Sequence, residues 1–267
     1  MIEPRRGWRG LELGELWEYR HLIAAFLLRD IKATQKQTVL GFLWILVSPL
    51  MAVATYTVVF GRLAGLPSDG VPYPVFVFAG QILWDTFAQA LRGTTTSVVQ
   101  NSHFVQKVYF PRFVIPATAA LTGVLNVFIV LVALVAMLFW YGFHPGWHVV
   151  FAIPILALVL ATALGIGMLL APLNVMYRDV GALTNVAVQL GFFLTPVVYS
   201  TTLVPPRRRA LLLLNPLAGY ISAFRWSLYG SALQPGLIAV AVGTTAVLLI
   251  AGAYFFARMQ GRFADVI

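Results

Sequence analysis

Long apolar runs separated by short polar segments dominate this chain of 267 residues. A transmembrane helix needs about 20 consecutive, mostly apolar residues to cross about 30 Å of hydrocarbon. By that criterion the candidate spans lie at about 39–63, 73–98, 113–141, 147–175, 183–199 and 237–258. The pattern therefore predicts an all-α integral membrane protein with six transmembrane helices, in which residues 1–267 form a single domain.

The segment before the first span, residues 1–38, mixes apolar and charged side chains. Such a mixture is typical of an amphipathic helix that lies in the membrane interface. Its candidate interface residues are Leu16, Trp17, Arg20, Arg29 and Asp30. We expect this helix on the cytoplasmic surface of the membrane.

Another short helix is predicted between the fifth and sixth spans, within an outer segment at about 203–230. Asn215 suits the N-cap, Pro216 the first helical position, and Gly230 the residue after the C-cap. The helix of about 14 residues would be about 21 Å long, which is too short to cross the bilayer. We expect it to dip into the outer leaflet as a re-entrant hairpin that also carries Arg225. The alternative is a helix lying flat on the outer surface.

The composition indicates a lipid environment and an orientation within it. Only 10% of the residues are charged, against about 25% in a soluble domain. The net charge is +9, and nine of the 18 Lys and Arg residues lie before the first span or at and after the end of the last; the positive-inside bias places such residues in the cytoplasm. Both termini and the loop at 96–116 are then cytoplasmic, whereas the basic run at 205–209 does not follow the bias. Nucleic acid is not expected as a partner, because no basic stripe lies on a soluble fold.

Motifs for nucleotide or metal chemistry are not found in the sequence. It lacks the G-x-x-x-x-G-K-[ST] pattern that cradles phosphates, and its only lysines are Lys32, Lys36 and Lys107. Cysteine is absent and the four histidines are scattered, so we predict neither a metal site nor a cofactor in this chain. Uphill transport would need energy from another chain or from an ion gradient.

Polar residues recur at four-residue spacing inside two of the predicted spans. In the second span Gln81, Asp85 and Gln89 share one helical face, with Trp84 beside it. In the fifth span, polar residues with the same spacing precede aromatic ones, and Pro196 is expected to kink the helix. Two interpretations are open: hydrogen bonds that hold helices together, or a water-accessible pathway whose aromatic walls suit sugar rings or a lipid headgroup.

The loop between the second and third spans contains an apolar ridge. Ser102 can cap a short helix there. Side chains four residues apart on that helix share a face, and the apolar pairs are Phe104 with Val108 and Val105 with Tyr109. Exposed aromatic side chains are a poor surface for water but suit the groove of a partner protein. The pattern predicts a docking helix.

Five segments resemble the permease subunits of ABC exporters for bacterial surface polysaccharides, which include the O-antigen, capsule and teichoic-acid exporters. The segments are LLRDIKATQKQTVLGFLWILVSPL, KVYFPRFVIP, LNVMYRDVGAL, TPVVYS and NPLAGYISAFR. They occur in the family's order and at matching places relative to the spans. The resemblance therefore extends over nearly the whole chain.

The resemblance implies a homodimer of six-span permeases in the bacterial cytoplasmic (inner) membrane, bound to two copies of a separate ATPase that holds ATP and Mg. It also implies a substrate polysaccharide on an undecaprenyl-type lipid, threaded through a channel with aromatic walls. The implied ATPase-coupling residues are Ser102, His103, Phe104, Val105, Lys107, Tyr109, Phe110 and Arg112. The candidate pathway residues are Trp44, Tyr56, Phe60, Gln81, Trp84, Asp85, Gln89, Phe192, Phe193 and Tyr199.

Two other functions remain open from the sequence. A small-molecule or drug ABC exporter would use the same scaffold, and an ion-coupled secondary transporter would need no ATPase. The secondary transporter is disfavoured because Asp85 is the only acid near the middle of a span, whereas a proton relay uses a series of titratable groups. We therefore expect a transport permease that is not itself an enzyme.

Overall fold

The computed structural model describes residues 24, 25, 27, 29, 43–107, 111–205, 207 and 210–263. All regular secondary structure in these ranges is helical, which confirms the predicted all-α class. Of the predicted interface residues, Arg29 is described and is helical. The others, Leu16, Trp17, Arg20 and Asp30, lie outside the described residues.

Helix α1 (Leu43–Tyr56) continues as a π-helical segment, Thr57–Leu63, and stands at the edge of the bundle. Val53 is the only buried residue in these two segments. A helix with an apolar sequence and so little burial needs lipid or another subunit around it. The predicted first span agrees with this helix from residue 43 onward.

Helix α2 (Tyr73–Gln100) occupies the centre of the bundle. Nineteen of its 28 residues are buried, because helices from both halves of the chain pack around it. Its length, about 42 Å at about 1.5 Å per residue, matches a whole bilayer including the headgroups. The predicted second span at 73–98 corresponds to it closely.

Three further helices follow α2: α3 (Ser102–Lys107), α4 (Val114–Leu121) and α5 (Val124–Trp140). The predicted span at 113–141 is thus two helices joined by a short turn. At the turn, a Cβ on Gly123 would lie 2.5 Å from Oε1 of Gln89. Glycine therefore allows the start of α5 to approach α2 closely.

The 3₁₀ turn Trp147–Phe151 and helix α6 (Ala152–Met176) form the predicted fourth span. Helix α6 packs closely on the last long helix, α10 (Pro235–Met259). A Cβ on Gly165 would lie 2.8 Å from the carbonyl carbon of Leu248. The small residue is therefore required for this helix contact, as small residues are in many membrane bundles.

Helix α7 (Asp179–Leu194) corrects the prediction for the fifth span, which was placed at 183–199. The expectation that Pro196 would kink a continuing helix is wrong, because the helix ends at Leu194. Thr195 is extended, with φ −99° and ψ 140°. Proline disfavours the α conformation of the residue before it, so the helix stops instead of bending.

The outer segment contains a 3₁₀ turn (Thr201–Leu203) and the helices α8 (Ala210–Leu213) and α9 (Pro216–Tyr229). The predicted caps of α9 are confirmed: Oδ1 of Asn215 accepts a hydrogen bond from the Leu217 amide at 3.1 Å, and Gly230 has φ 72°. Eleven of its 14 residues are buried. The helix is therefore inserted into the bundle and does not lie flat on its surface.

Each predicted span coincides with a helical segment, but not all of these segments have the length and composition of a membrane span. Among the described residues, four do: Leu43–Leu63, Val114–Trp140, Trp147–Met176 and Pro235–Met259. Helix α2 is long but carries Asp85 and Arg92, and α7 is apolar but short. Six crossings stay a prediction.

Candidate functional site

A continuous groove follows the polar stripe of α2. Asp85 and Gln89 are exposed although most of the helix is buried, and Gln81 is covered. One part of the groove, about 210 Å³, is lined by Trp44, Ile45, Ser48, Pro49, Ile82, Asp85, Thr86, Gln89, Asn126, Val127 and Val130. The adjoining part, about 540 Å³, is lined by Ser48, Asp85, Ala88, Gln89, Arg92, Gly93, Thr96 and Gln100. The shared residues make the two parts one path between α1, α2 and α5.

The groove bears on the two interpretations of the stripe. Side chains that hold helices together would form hydrogen bonds with neighbouring helices. In the described part of the chain, Asp85 interacts with Gln81 of its own helix, and no hydrogen bond joins Asp85 or Gln89 to another helix. The stripe is therefore open at Asp85 and Gln89 and covered at Gln81.

The predicted aromatic residues form a connected cluster between α1, α2 and α7. The ring of Phe192 lies 5.2 Å from that of Tyr56 and 6.0 Å from that of Trp84. Phe193 is 5.2 Å from Phe192, and Phe60 is 6.1 Å from Tyr56. The structure thus brings together five candidates from three predicted spans.

The cluster does not line the groove in this conformation. Trp84 is 6% exposed and Phe192 is 7% exposed, so each ring is covered by its neighbours. Trp44 is different, because it lies in the groove wall and is half exposed. Tyr199 lies beyond the end of α7 and donates a hydrogen bond to the Leu194 carbonyl at 3.2 Å.

The short helix predicted between the second and third spans is present as α3, directly after α2, and its docking role stays a prediction. Phe104 is 39% exposed on it, and His103 is exposed as well. The guanidinium of Arg29 lies 5.3 Å from the Phe104 ring centroid, and it donates a hydrogen bond to Asn101 Oδ1 at 3.0 Å. These contacts join the helical residue Arg29, helix α3 and the end of α2.

The other predicted coupling residues do not all lie in α3. Ser102, Val105 and Lys107 lie in α3, while Tyr109 and Phe110 are outside the described residues. Arg112 is half-buried and donates a hydrogen bond to the carbonyl of Gln260. Its guanidinium also lies 6.0 Å from the ring of the buried Phe263. Arg112 therefore fastens the segment after α3 to the end of α10.

Arg225 is a structural residue whose role sequence reasoning missed. It is 5% exposed, and its guanidinium carbon lies 3.5 Å from the Phe76 ring centroid. Its N–H groups donate to the carbonyls of Pro196 (3.0 Å), Val197 (2.8 Å) and Phe76 (3.1 Å). Backbone that leaves a helix inside a membrane needs internal hydrogen bonds, and Arg225 supplies them to the turn after α7. A lone arginine in an apolar helix was the available signal.

Two more side chains support this turn. The hydroxyl of Tyr73 donates to the Val198 carbonyl at 2.5 Å. The amide of Asn215 donates to the Thr195 hydroxyl at 2.7 Å. The turn 195–198 is therefore held from both α2 and the start of α9.

Comparison with known proteins supplies an independent line of observation. A family model described as ABC-2 type transporter matches residues 21–229. An O-antigen export system permease protein RfbA from Klebsiella pneumoniae is 28% identical, covering 96% of this chain and 97% of its own. Another RfbA from the same species is 27% identical with the same coverage. The RfbA of Myxococcus xanthus is 28% identical, covering 95% of this chain and 98% of its own.

Proposed function

The chain belongs to the ABC-2 type transporter family, and from this premise we propose that it is the membrane-spanning subunit of an ATP-driven exporter. The substrate is a lipid-linked polysaccharide of the O-antigen type. ATP and Mg are bound by a separate ATPase subunit, and this chain hydrolyses no nucleotide. The observation that carries the proposal is similarity along 95% of the chain to a permease named for O-antigen export.

The groove along α2 supports a glycan as the transported group. Its walls combine amide and hydroxyl groups from Gln89, Ser48 and Thr96 with the indole of Trp44. Sugar hydroxyls form hydrogen bonds with the polar groups, and the apolar faces of sugar rings pack on aromatic side chains. A path of this kind binds each sugar weakly at many points, which lets a polymer slide.

The proposal includes a homodimer in the bacterial inner membrane, with six spans per subunit and both termini in the cytoplasm. One subunit's groove is open on one side, and a symmetric second copy would close it into a channel. The exposed apolar residues of α1, including Leu50 and Met51, are suited to that interface or to lipid. Two ATPase copies would dock on the two α3 helices.

The contacts around α3 support a route from the ATPase to the groove. A push on Phe104 reaches Arg29 and Asn101 through the contacts of their side chains. Asn101 ends α2 and donates to the Ser97 carbonyl at 2.9 Å, so movement of α3 tilts α2. Tilting α2 relative to α7 would part Trp84 from Phe192 and widen the path.

Export in cells tests the proposal directly. Deleting the gene in its host should abolish the surface polysaccharide and leave its lipid-linked precursor in the inner leaflet, and the wild-type gene should restore export. The purified chain with its ATPase should show ATP hydrolysis stimulated by the lipid-linked glycan. Stimulation by hydrophobic drugs alone would favour a drug exporter, and full transport by this chain without any ATPase would contradict the ABC mechanism.

A further inference from the structure

Arg92 is a charged residue on the central helix that no part of the coupling or packing described above uses. It is exposed, and it lines the wider part of the groove with Ser48, Gln89, Thr96 and Gln100. No hydrogen bond joins its guanidinium to a residue in the described ranges. A charged side chain within a membrane helix is costly and calls for polar partners. Arg92 interacts electrostatically with Asp85 of the same helix, but its N–H groups have no hydrogen-bond acceptor in the described ranges.

The depth of Arg92 in the membrane indicates what that partner is. Arg92 lies eight residues before Gln100, the last residue of α2, or about 12 Å along the helix axis. With α3 at the cytoplasmic side, as in the proposed function, and a headgroup layer of about 6 Å, the backbone of Arg92 lies about 6 Å inside the hydrocarbon. A long arginine side chain at this depth can extend its guanidinium toward the headgroup boundary, where the phosphates of the cytoplasmic leaflet lie.

The order of the charged residues along the groove indicates how far an anion can enter it. Asp85 lies on the same face of α2, seven residues before Arg92, which is about 10 Å deeper in the membrane. An anion at the mouth is attracted by Arg92, and it is repelled by Asp85 if it moves deeper. A neutral glycan meets no such barrier, because the remaining lining residues are uncharged.

We propose that Arg92 binds the phosphate or diphosphate ester that joins the substrate's glycan to its lipid, and that Asp85 stops this ester from following the first sugars into the groove. Arginine suits the role because its planar N–H groups bind phosphate oxygens in pairs. The hydroxyls of Ser48 and Thr96 and the amide of Gln100 are further donors around the same space. The proposal rests on the proposed function and names the recognised chemical group.

Binding of a sugar-free polyprenyl diphosphate to the full complex in phosphatidylcholine nanodiscs tests the proposal. Arg92→Gln should weaken binding about tenfold or more, the usual effect of losing charge-assisted hydrogen bonds. Asp85→Asn should strengthen binding, because the repulsion is removed. Arg258→Gln is the matched control: Arg258 is an exposed arginine near the cytoplasmic end of α10 whose guanidinium donates to the Tyr254 hydroxyl, and its loss should leave binding unchanged.

The results separate the possible sources of the phosphate. The proposal is overturned if Arg92→Gln and Asp85→Asn weaken binding equally. That result is expected if the two side chains only stabilise each other and neither contacts the ligand. Competition by equimolar phosphatidylglycerol would also overturn it, because the site would then be a general phospholipid site. Arg92→Lys keeps the charge and should retain part of the affinity if Arg92→Gln fails to assemble. The binding assay contains no glycan and no ATP, so it does not depend on export. Its result can therefore be interpreted even if the export experiments contradict the proposed function.

Discussion

Replacing Arg225 by methionine should destabilise the protein more than any single surface substitution. Methionine keeps much of the volume but removes the donors to the carbonyls of Pro196, Val197 and Phe76. Each hydrogen bond involving a charged group contributes about 1.5–3 kcal/mol. Part of this gain is offset by the cost of burying the guanidinium.

Combining these terms, we expect Arg225→Met to reduce the free energy of unfolding by about 3–5 kcal/mol, as when a buried charge network loses one member. The three carbonyls would remain in an apolar environment without a donor, and the turn after α7 would shift to find water. Arg225→Lys should lie between methionine and wild type, because a single ammonium cannot reach three carbonyls in a fan.

The measurement is thermal unfolding of the purified protein in one detergent, followed by tryptophan fluorescence. Arg62→Met is the matched control, because Arg62 is exposed at the end of the π-helical segment, and it should unfold close to wild type. An Arg225→Met protein as stable as the control would refute the reasoning that this arginine holds the non-helical turn.

Three further predictions concern coupling, packing and the pathway. The double substitution Phe104→Ala with Tyr109→Ala should weaken copurification of the ATPase while the spans stay folded; unchanged copurification and export would contradict the docking role. Gly165→Ala should destabilise by about 1–3 kcal/mol through overpacking against α10, whereas Gly243→Ala, where the added Cβ meets no atom within 4 Å, should not; equal melting temperatures would disprove this. Trp84→Ala should preserve complex formation and lower polysaccharide export, and loss of assembly would instead identify a packing residue.

Local rules predicted the features that depend on neighbouring residues. The caps of α9 at Asn215 and Gly230 follow from the conformational preferences of single residues, and both are confirmed. The misassigned role of Pro196 shows the limit of such rules. A proline inside an apolar run is compatible with either a kink or a helix end, and the hydrogen bonds available to the freed carbonyls decide between them.

The roles of the two arginines that hold loops could not be predicted. Arg225 meets Phe76, which is 149 residues away in the chain, and Arg112 meets Gln260 across 148 residues. The family resemblance implies that Arg112 is a coupling residue, and this role stays a prediction. Its position in the structure is set by the end of α10, which no local pattern indicates.

Apolar length and residue periodicity in the sequence were sufficient to identify a membrane-embedded helical protein, the short helix α3 and the polar stripe of α2. These features follow from transfer free energies and helical periodicity, which act on residues close together in the chain. Tertiary packing alone decided that the stripe is an open groove, that Trp84 and Phe192 are covered, and that Arg225 is a clamp. The reason is that burial and hydrogen-bond partners depend on which distant helices pack together. The amino-acid pattern of a single helix does not determine which helices those are.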